Sequence, residues 1–159
     1  NFSSFKKKVL EIKQKHNLSS LVETYLTGKE YSVGIFQDST NGELQAMPIE
    51  IIIKKNKNGH CILDFDVKKE DEEKVIAVTD LKIFKKLSKL AKEAFKALGG
   101  KSLGRIDIKM NHHGEPHFME ANLMPGLRKG YFYRSCLLNL DMNYEDMIFS
   151  IANTGLSSQ

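Results

Sequence analysis

The stretch GRIDIKMNHHGEPHFMEAN, residues 104–122, constrains the fold of this chain more than any other. Two runs with the alternating pattern of strands lie on either side of a short polar segment. His113 and Gly114 form a favourable two-residue turn, because glycine accepts the positive φ that such turns require. A turn this short leaves antiparallel pairing as the only arrangement of the two runs. The sequence therefore predicts a β-hairpin.

One face of this hairpin is predicted to be charged. With the two-residue turn, Asp107 lies opposite Glu120, and Arg105 lies opposite Asn122. Facing carboxylates repel unless a positive charge compensates them. Asp, Glu and Asn oxygens suit a hard cation such as Mg²⁺, and the neighbouring arginine then has an anion to bind. Two alternatives are open: the carboxylate pair lies at a solvated edge, or Arg105 simply neutralises Asp107. The presence of all four groups on one face favours a functional site.

The order of predicted elements indicates an α+β fold, in which helices pack on an antiparallel sheet. With 159 residues, of which 41% are hydrophobic, the chain can form one domain with a core. Periodicity predicts helices at residues 2–16, at about 81–98 behind a cap at Thr79 or Asp80, and between 133 and 152 with Asn143 as a cap. The other predicted strands are residues 21–26, 31–37, 43–53 and 61–67.

The composition argues against several classes of protein. No apolar run is long enough to cross a bilayer, and the basic amphipathic start at residues 1–8 does not resemble a signal peptide. We therefore expect a soluble, cytoplasmic protein. Cys61 and Cys136 lack the spacing of a metal site and are expected to be reduced thiols. Since the chain begins at Asn1 without a methionine, we expect it to be a piece of a larger protein.

Binding to nucleic acid is not expected, although the net charge is +4. Most of the 24 basic residues are lysines scattered over helix faces, which is typical of a solvated surface. The three arginines, Arg105, Arg128 and Arg134, all lie near the hairpin. His112 and His113 lie beside and in the predicted turn, and His117 is predicted on the face opposite the carboxylates, so no zinc site is expected.

Two motifs in the chain resemble motifs of a known protein family. GRIDIKM and HFMEANLMPGL resemble the catalytic hairpin of the D-alanine-D-alanine ligase family, within the ATP-grasp superfamily. LVETYLTGKEYSVGIF, residues 21–36, is similar to the nucleotide-binding segment of that family. The resemblance implies that residues 1–159 form a partial ATP-grasp domain, the C-terminal portion of a larger ligase. The family's N-terminal domain and glycine-rich lobe are absent from the chain, so we expect the fragment alone to be inactive.

The resemblance also implies which residues form the site. It assigns Mg²⁺, with Mn²⁺ as an alternative, to three ligands, Asp107, Glu120 and Asn122. It assigns Arg105 to the transferring phosphoryl group and places the backbone of Gly126 beside the substrate. For ATP it implies a set of nucleotide contacts: Glu23, Tyr25 and Leu26 at the adenine, Glu30 at the ribose and Lys68, in LDFDVKK, at a phosphate.

The implied reaction is ATP-dependent ligation of a small-molecule carboxylate to an amine through an acylphosphate. The segment Leu127–Tyr133 is bulky and basic where the family has small hydroxyl residues, so a larger or anionic acceptor is expected. Two rivals stay open, namely a regulatory domain that binds Mg-ATP without catalysis and a metal-dependent nuclease. The nuclease is less favoured because Asn122 stands where such hairpins carry lysine. A homodimer is an open possibility.

Overall fold

The computed structural model describes residues 1–38, 41–53 and 73–157. Within these ranges it contains four helices and five strands, which confirms the predicted α+β class. In chain order they are α1 (Phe2–His16), β1 (Glu30–Gln37), β2 (Leu44–Ile53), β3 (Glu73–Ala77), α2 (Leu81–Ala97), β4 (Leu103–Met110), β5 (Pro116–Asn122), α3 (Tyr131–Leu140) and α4 (Tyr144–Ser157).

The five strands form one antiparallel sheet in the order β3-β2-β1-β4-β5. The central strand β1 is buried from Tyr31 to Phe36, which matches its apolar, β-branched sequence. Helix α2 packs on one face of the sheet and α3 packs on the other. Successive residues on each strand alternate between the two faces of the sheet and therefore point toward different helices.

The face toward α2 forms the main core. Leu87, Ala91 and Phe95 recur every fourth residue on α2 and are fully buried. They pack against the buried side chains of β1 and β4, which are Tyr31, Val33, Ile35, Ile106, Ile108 and Met110. Burying an aliphatic or aromatic side chain contributes about 1.5–3 kcal/mol, so this interface fixes β4 firmly. Asp80 begins the helix as predicted, because its carboxylate accepts the backbone N–H groups of Lys82 and Ile83.

The other face receives α3 at very close range. A Cβ atom on Gly34 of β1 would lie 2.9 Å from Cβ of Ser135 and 3.1 Å from Cε of Met47. The missing side chain at Gly34 is therefore what lets α3 lie directly on the sheet. Helix α4 packs against α3. Asn143 precedes α4 as its predicted cap, because its side chain accepts the backbone N–H of Asp146.

Two expectations about the first half of the chain differ from the structure. Residues 21–26 form no strand, and Leu21 is 84% exposed and Val22 62% exposed. Their β-branched and apolar character is not matched by a neighbouring strand to pair with. Strand β3 was not predicted, because its polar start, Glu73-Lys74, looks like the end of a charged loop. The strand predicted at 61–67 lies outside the described residues.

The hairpin itself contains two irregularities. Asn111 bonds through its backbone N–H to the carbonyl of Glu115, so the turn consists of His112, His113 and Gly114 rather than two residues. A β-bulge then adds one residue to β5 between the pairs Asp107–Glu120 and Ile108–Phe118. The extra residue is Met119. It is 48% exposed instead of buried against α2 as predicted.

These two irregularities cancel at the charged end of the hairpin. The three-residue turn shifts the pairing by one position, and the bulge shifts it back. Asp107 thus lies opposite Glu120, and Arg105 lies opposite Asn122, as predicted. Between the turn and the bulge only the shift from the three-residue turn applies, so His117 pairs with Lys109. Its prediction on the face opposite the carboxylates was therefore wrong.

None of the described helices combines the length and the apolar character needed to span a bilayer.

Candidate active site

Arg105 and Asp107 form the centre of the charged face. They are two residues apart on β4 and therefore point to the same side of the sheet. Arg105 donates from Nε to Oδ1 of Asp107 at 3.0 Å and from Nη2 to Oδ2 at 2.8 Å. Ser32 on β1 donates its hydroxyl to the same Oδ1 at 2.7 Å. Both charged side chains are only 17% exposed, so this bidentate pair is partly shielded from water.

Glu120 and Asn122 complete the cluster from β5. Oε1 of Glu120 lies 3.7 Å from Nη2 of Arg105, and its side chain is 66% exposed. The amide oxygen of Asn122 accepts the backbone N–H of Met124 at 3.1 Å, which starts the loop that follows β5. The structure therefore brings together all four residues predicted for this face.

The oxygen atoms of this cluster can fit a hard divalent cation. A carboxylate offers about four acceptor positions. Three of those on Asp107 are used by Arg105 and Ser32, which leaves one on Oδ2. Among the described residues, no protein group donates a hydrogen bond to the Glu120 carboxylate or to the second lone pair of the Asn122 amide oxygen. Two carboxylates and an amide form an all-oxygen donor set, as Mg²⁺ and Mn²⁺ prefer. Within the described ranges, no three His, Cys, Asp or Glu side chains are grouped for metal binding.

A second charged pair continues the same face toward the start of β1. Lys109, two residues beyond Asp107, donates to Oε2 of Glu30 at 2.9 Å. Its Nζ atom also lies 5.9 Å from the centre of the Tyr25 ring. Lys109 is 8% exposed, an unusual degree of burial for a lysine. Tyr25 and Glu30, which were predicted to bind ATP, thus both contact Lys109, a residue that was not predicted for the site.

A groove of about 380 Å³ opens beside this pair. Its walls come from the residues before and at the start of β1 (27–30), from β2 (50–52) and from Lys109. Lys29 and Glu50 form an ion pair across it at 2.8 Å. Four of its eight lining residues are charged, namely Lys29, Glu30, Glu50 and Lys109, and the exposed surface between them is mainly apolar.

Tyr131, the first residue of α3, links the charged face to the edge of the sheet. Its hydroxyl donates to Oε2 of Glu73 on β3 at 2.5 Å. The centre of its ring lies 5.6 Å from Cζ of Arg105, within the range of a cation–π contact. Burial, followed by the hydrogen bond to Glu73 and the nearby carboxylates, raises the pKa of Tyr131 well above its ordinary value.

The remaining predicted site residues occupy less defined positions. Glu23 is exposed and Leu26 is half-buried, in a segment without regular structure before β1. Gly126 lies in the loop after β5, and a methyl group added there would meet no atom within 4 Å, so the space beside its backbone is open. Lys68 lies outside the described residues.

Four residues of the site were not predicted from the sequence: Ser32, Glu73, Lys109 and Tyr131. Ser32 and Lys109 could have been found, because they continue the alternation of Glu30 on β1 and of Arg105 and Asp107 on β4. Glu73 and Tyr131 are 58 residues apart in sequence. No local pattern connects them, since their contact depends on how α3 crosses the sheet.

Comparisons with known proteins match the chain to one family. Residues 3–153 match the family described as D-ala D-ala ligase C-terminus. A D-alanine--D-alanine ligase of Dechloromonas aromatica is 33% identical over 116 residues, which cover 71% of this chain and 35% of the relative. One from Vesicomyosocius okutanii is 26% identical over 137 residues, covering 84% of this chain and 43% of the relative.

The structural comparison extends over most of the chain. The crystal structure of a D-alanine--D-alanine ligase from Bacillus anthracis complexed with ATP superimposes with a TM-score of 0.70 at 18% identity. The match covers 95% of this chain and 46% of that protein, and at this identity it shows the fold. The chain thus spans less than half the length of these relatives. On the match of nearly all its residues, the chain belongs to the D-alanine-D-alanine ligase C-terminal family of the ATP-grasp superfamily.

Proposed function

We propose that this chain is the C-terminal portion of an ATP-dependent ligase that joins a small-molecule carboxylate to an amine. The observation that carries the proposal is the cluster of Arg105, Asp107, Glu120 and Asn122 on one face of the hairpin, in a chain that belongs to this family. The N-terminal domain and the glycine-rich lobe would belong to the rest of the protein. We place the reaction in the cytoplasm, where ATP is available.

The reaction proceeds in two steps. An oxygen of the substrate carboxylate attacks the γ-phosphorus of ATP, giving an acylphosphate and ADP. The amine, after losing a proton, then attacks the acyl carbon, forms the amide bond and releases phosphate. Neither step needs a covalent bond to the protein, so positioning and charge stabilisation supply most of the acceleration.

The charged face suits this chemistry. A divalent cation held by Asp107, Glu120 and Asn122 would neutralise phosphate charge, and Mg²⁺ is the first candidate because its usual sites combine a few carboxylates with nucleotide oxygens. Arg105 uses one edge of its guanidinium on Asp107, while Nη1 has no protein partner among the described residues. That nitrogen is available to the transferring phosphoryl group, whose negative charge a guanidinium binds well.

We assign ATP to the groove next to this face. We assign the adenine to the segment with Glu23, Tyr25 and Leu26, and the ribose to Glu30. We assign a phosphate to Lys68. The assignments of Tyr25 and Glu30 are supported by their contacts with Lys109, which lines the groove together with Glu30. The bulky segment Leu127–Tyr133 supports an acceptor other than a second D-alanine, with D-alanine the first carboxylate to test.

The test is substrate-dependent ADP release by the full-length protein. Mg-ATP is supplied with a panel of carboxylate and amine pairs that includes D-alanine, and the wild-type protein is compared with Glu120→Gln. We expect release that requires a carboxylate and is lost in the variant. Binding of Mg-ATP without such release across the panel would instead identify a non-catalytic nucleotide-binding domain. Sedimentation of the same sample tests whether the protein forms a homodimer.

A further inference from the structure

Arg105 is fixed along only one edge by its partners on the strands. Asp107 binds Nε and Nη2, but a bidentate pair allows the guanidinium to rock about the line that joins its two hydrogen bonds. A long arginine side chain retains considerable conformational freedom unless its flat face is also held. Oε1 of Glu120 lies 3.7 Å from Nη2 of Arg105 and the Glu120 side chain is largely exposed, so this contact is too weak to restrain the guanidinium.

The ring of Tyr131 supplies a contact with the guanidinium. It lies 5.6 Å from Cζ of Arg105, a distance at which a guanidinium and an aromatic ring attract each other. Arg105 is therefore held by a carboxylate at its edge and by an aromatic ring, from two different parts of the fold. The first contact comes from β4 and the second from the start of α3.

Tyr131 is itself held in place at both ends. Its backbone is held because Tyr131 is the first residue of α3, which lies on the sheet where Gly34 has no side chain. Its hydroxyl donates to Glu73 on the edge strand β3 at 2.5 Å. A tyrosine that served only to fill space would not need a charged acceptor, whereas a short hydrogen bond to a carboxylate fixes the direction of the ring.

We propose that Tyr131 is a positioning residue for Arg105, holding the guanidinium against the site where the phosphoryl group transfers, a role that depends on the proposed ligase function. The hydroxyl of Tyr131 anchors the ring to Glu73, and the ring in turn limits the motion of Arg105. Nη1 of Arg105 is thereby kept in one place for the phosphoryl oxygens. Tyr131 does not itself touch the reacting atoms.

Three variants separate this role from simple packing. Tyr131→Phe keeps the ring and removes the bond to Glu73, and Tyr131→Leu removes the ring. Phe149→Leu is the matched control, because Phe149 is an aromatic residue on α4 that is 70% exposed and lies outside both the charged face and the segment Leu127–Tyr133. Each variant is assayed for kcat and for the KM of ATP in the full-length protein.

For Tyr131→Leu we expect kcat to fall about 10- to 100-fold, the loss typical of a misplaced group, while the KM of ATP changes less than about twofold. Tyr131→Phe is expected to lose about threefold or less, since the ring still faces the guanidinium. Adding Arg105→Lys to Tyr131→Leu should lower kcat by much less than Arg105→Lys does alone. An unchanged kcat in Tyr131→Leu, or fully independent effects of the two substitutions, would overturn the inference.

A second measurement does not depend on activity. The Arg105 Nε–H signal in nitrogen-edited NMR spectra is identified by its disappearance in Arg105→Lys, and its rate of exchange with water is compared among the variants. We expect slow exchange in the wild type, in Tyr131→Phe and in Phe149→Leu, and exchange at least about tenfold faster in Tyr131→Leu. Equal rates in all proteins would overturn the positioning role. If no substrate pair gives ADP release but exchange behaves as expected, the proposed function fails while the restraint on Arg105 stands.

Discussion

Asp107 and Glu120 face each other across one strand pair, yet their replacement should affect stability to very different degrees. Both are assigned to the same cation, so Asp107→Asn and Glu120→Gln should each reduce ATP turnover. Loss of one strong electrostatic contact at an active site costs about 10²- to 10³-fold in kcat. The two side chains differ in what else they do, and the unfolding free energy should reveal that difference.

The magnitudes follow from the contacts of each side chain. Asp107 is 17% exposed and accepts three hydrogen bonds, two of them from the Arg105 guanidinium. Hydrogen bonds to charged groups contribute about 1.5–3 kcal/mol, and asparagine keeps part of this network, so Asp107→Asn should lose about 2 kcal/mol. Glu120 is 66% exposed, and its 3.7 Å contact with Arg105 should contribute about 0.5 kcal/mol or less.

Urea unfolding measures the two free energies, and a thermal scan checks them. For a chain of this size about 2 kcal/mol corresponds to roughly 4–8 °C in Tm, so Asp107→Asn should melt several degrees below the wild type. Glu120→Gln should melt within about 1–2 °C of it. Glu93→Gln is the matched control, because its carboxylate is exposed on α2 with a weak 3.9 Å contact to Lys89, and it should change neither stability nor turnover. Equal destabilisation by the two site variants, or full turnover in Glu120→Gln, would refute this reasoning.

Three further perturbations test the fold around the site. Gly34→Ala places a Cβ 2.9 Å from Ser135 and should reduce the unfolding free energy in urea by about 1–3 kcal/mol, because α3 must move off the sheet; no loss would mean that α3 has room to shift. The backbone N–H groups of Ile83 and Lys82 lower the pKa of the Asp80 carboxyl below 3.8, so its contribution to stability is present above that value and is lost as the pH falls through the lower folded pKa. The stability difference between wild type and Asp80→Ala, followed by urea unfolding, should therefore shrink in strong acid, and a constant difference would contradict the cap. Burial raises the pKa of the Cys136 thiol to about 12, so iodoacetamide at pH 8 should label its peptide only after unfolding, as read by peptide mass mapping.

The hairpin shows how far sequence reasoning could go. Alternation of polar and apolar residues placed Arg105, Asp107, Glu120 and Asn122 on one face, because that pattern is a local property of a paired strand. The predicted two-residue turn and the regular pairing between these residues were wrong, because no sequence pattern indicates the three-residue turn or the bulge at Met119. The correct pairing at the charged end came from two shifts of opposite sense.

Other parts of the site depend on contacts that no local pattern contains. The bond between Tyr131 and Glu73 joins the start of a helix to an edge strand 58 positions away. The prediction of a strand at 21–26 was wrong for a related reason, because an apolar, β-branched run forms a strand only where a partner strand is available. Helix α2 was predicted well, because its cap, its apolar stripe and its terminating glycines are all local signals.

The bulge at Met119 has a consequence for the protein in solution. Strand β5 is an edge of the sheet, and one row of its backbone N–H and C=O groups has no partner strand among the described elements. Such an edge can recruit another chain, and the half-exposed Phe118 and Met119 would make that association more favourable. The bulge interrupts the regular spacing of these groups, Pro116 lacks an N–H at the start of the strand, and Glu120 places a charge near its end. The irregularity that restores the pairing of the charged residues therefore also protects the protein against aggregation through this edge.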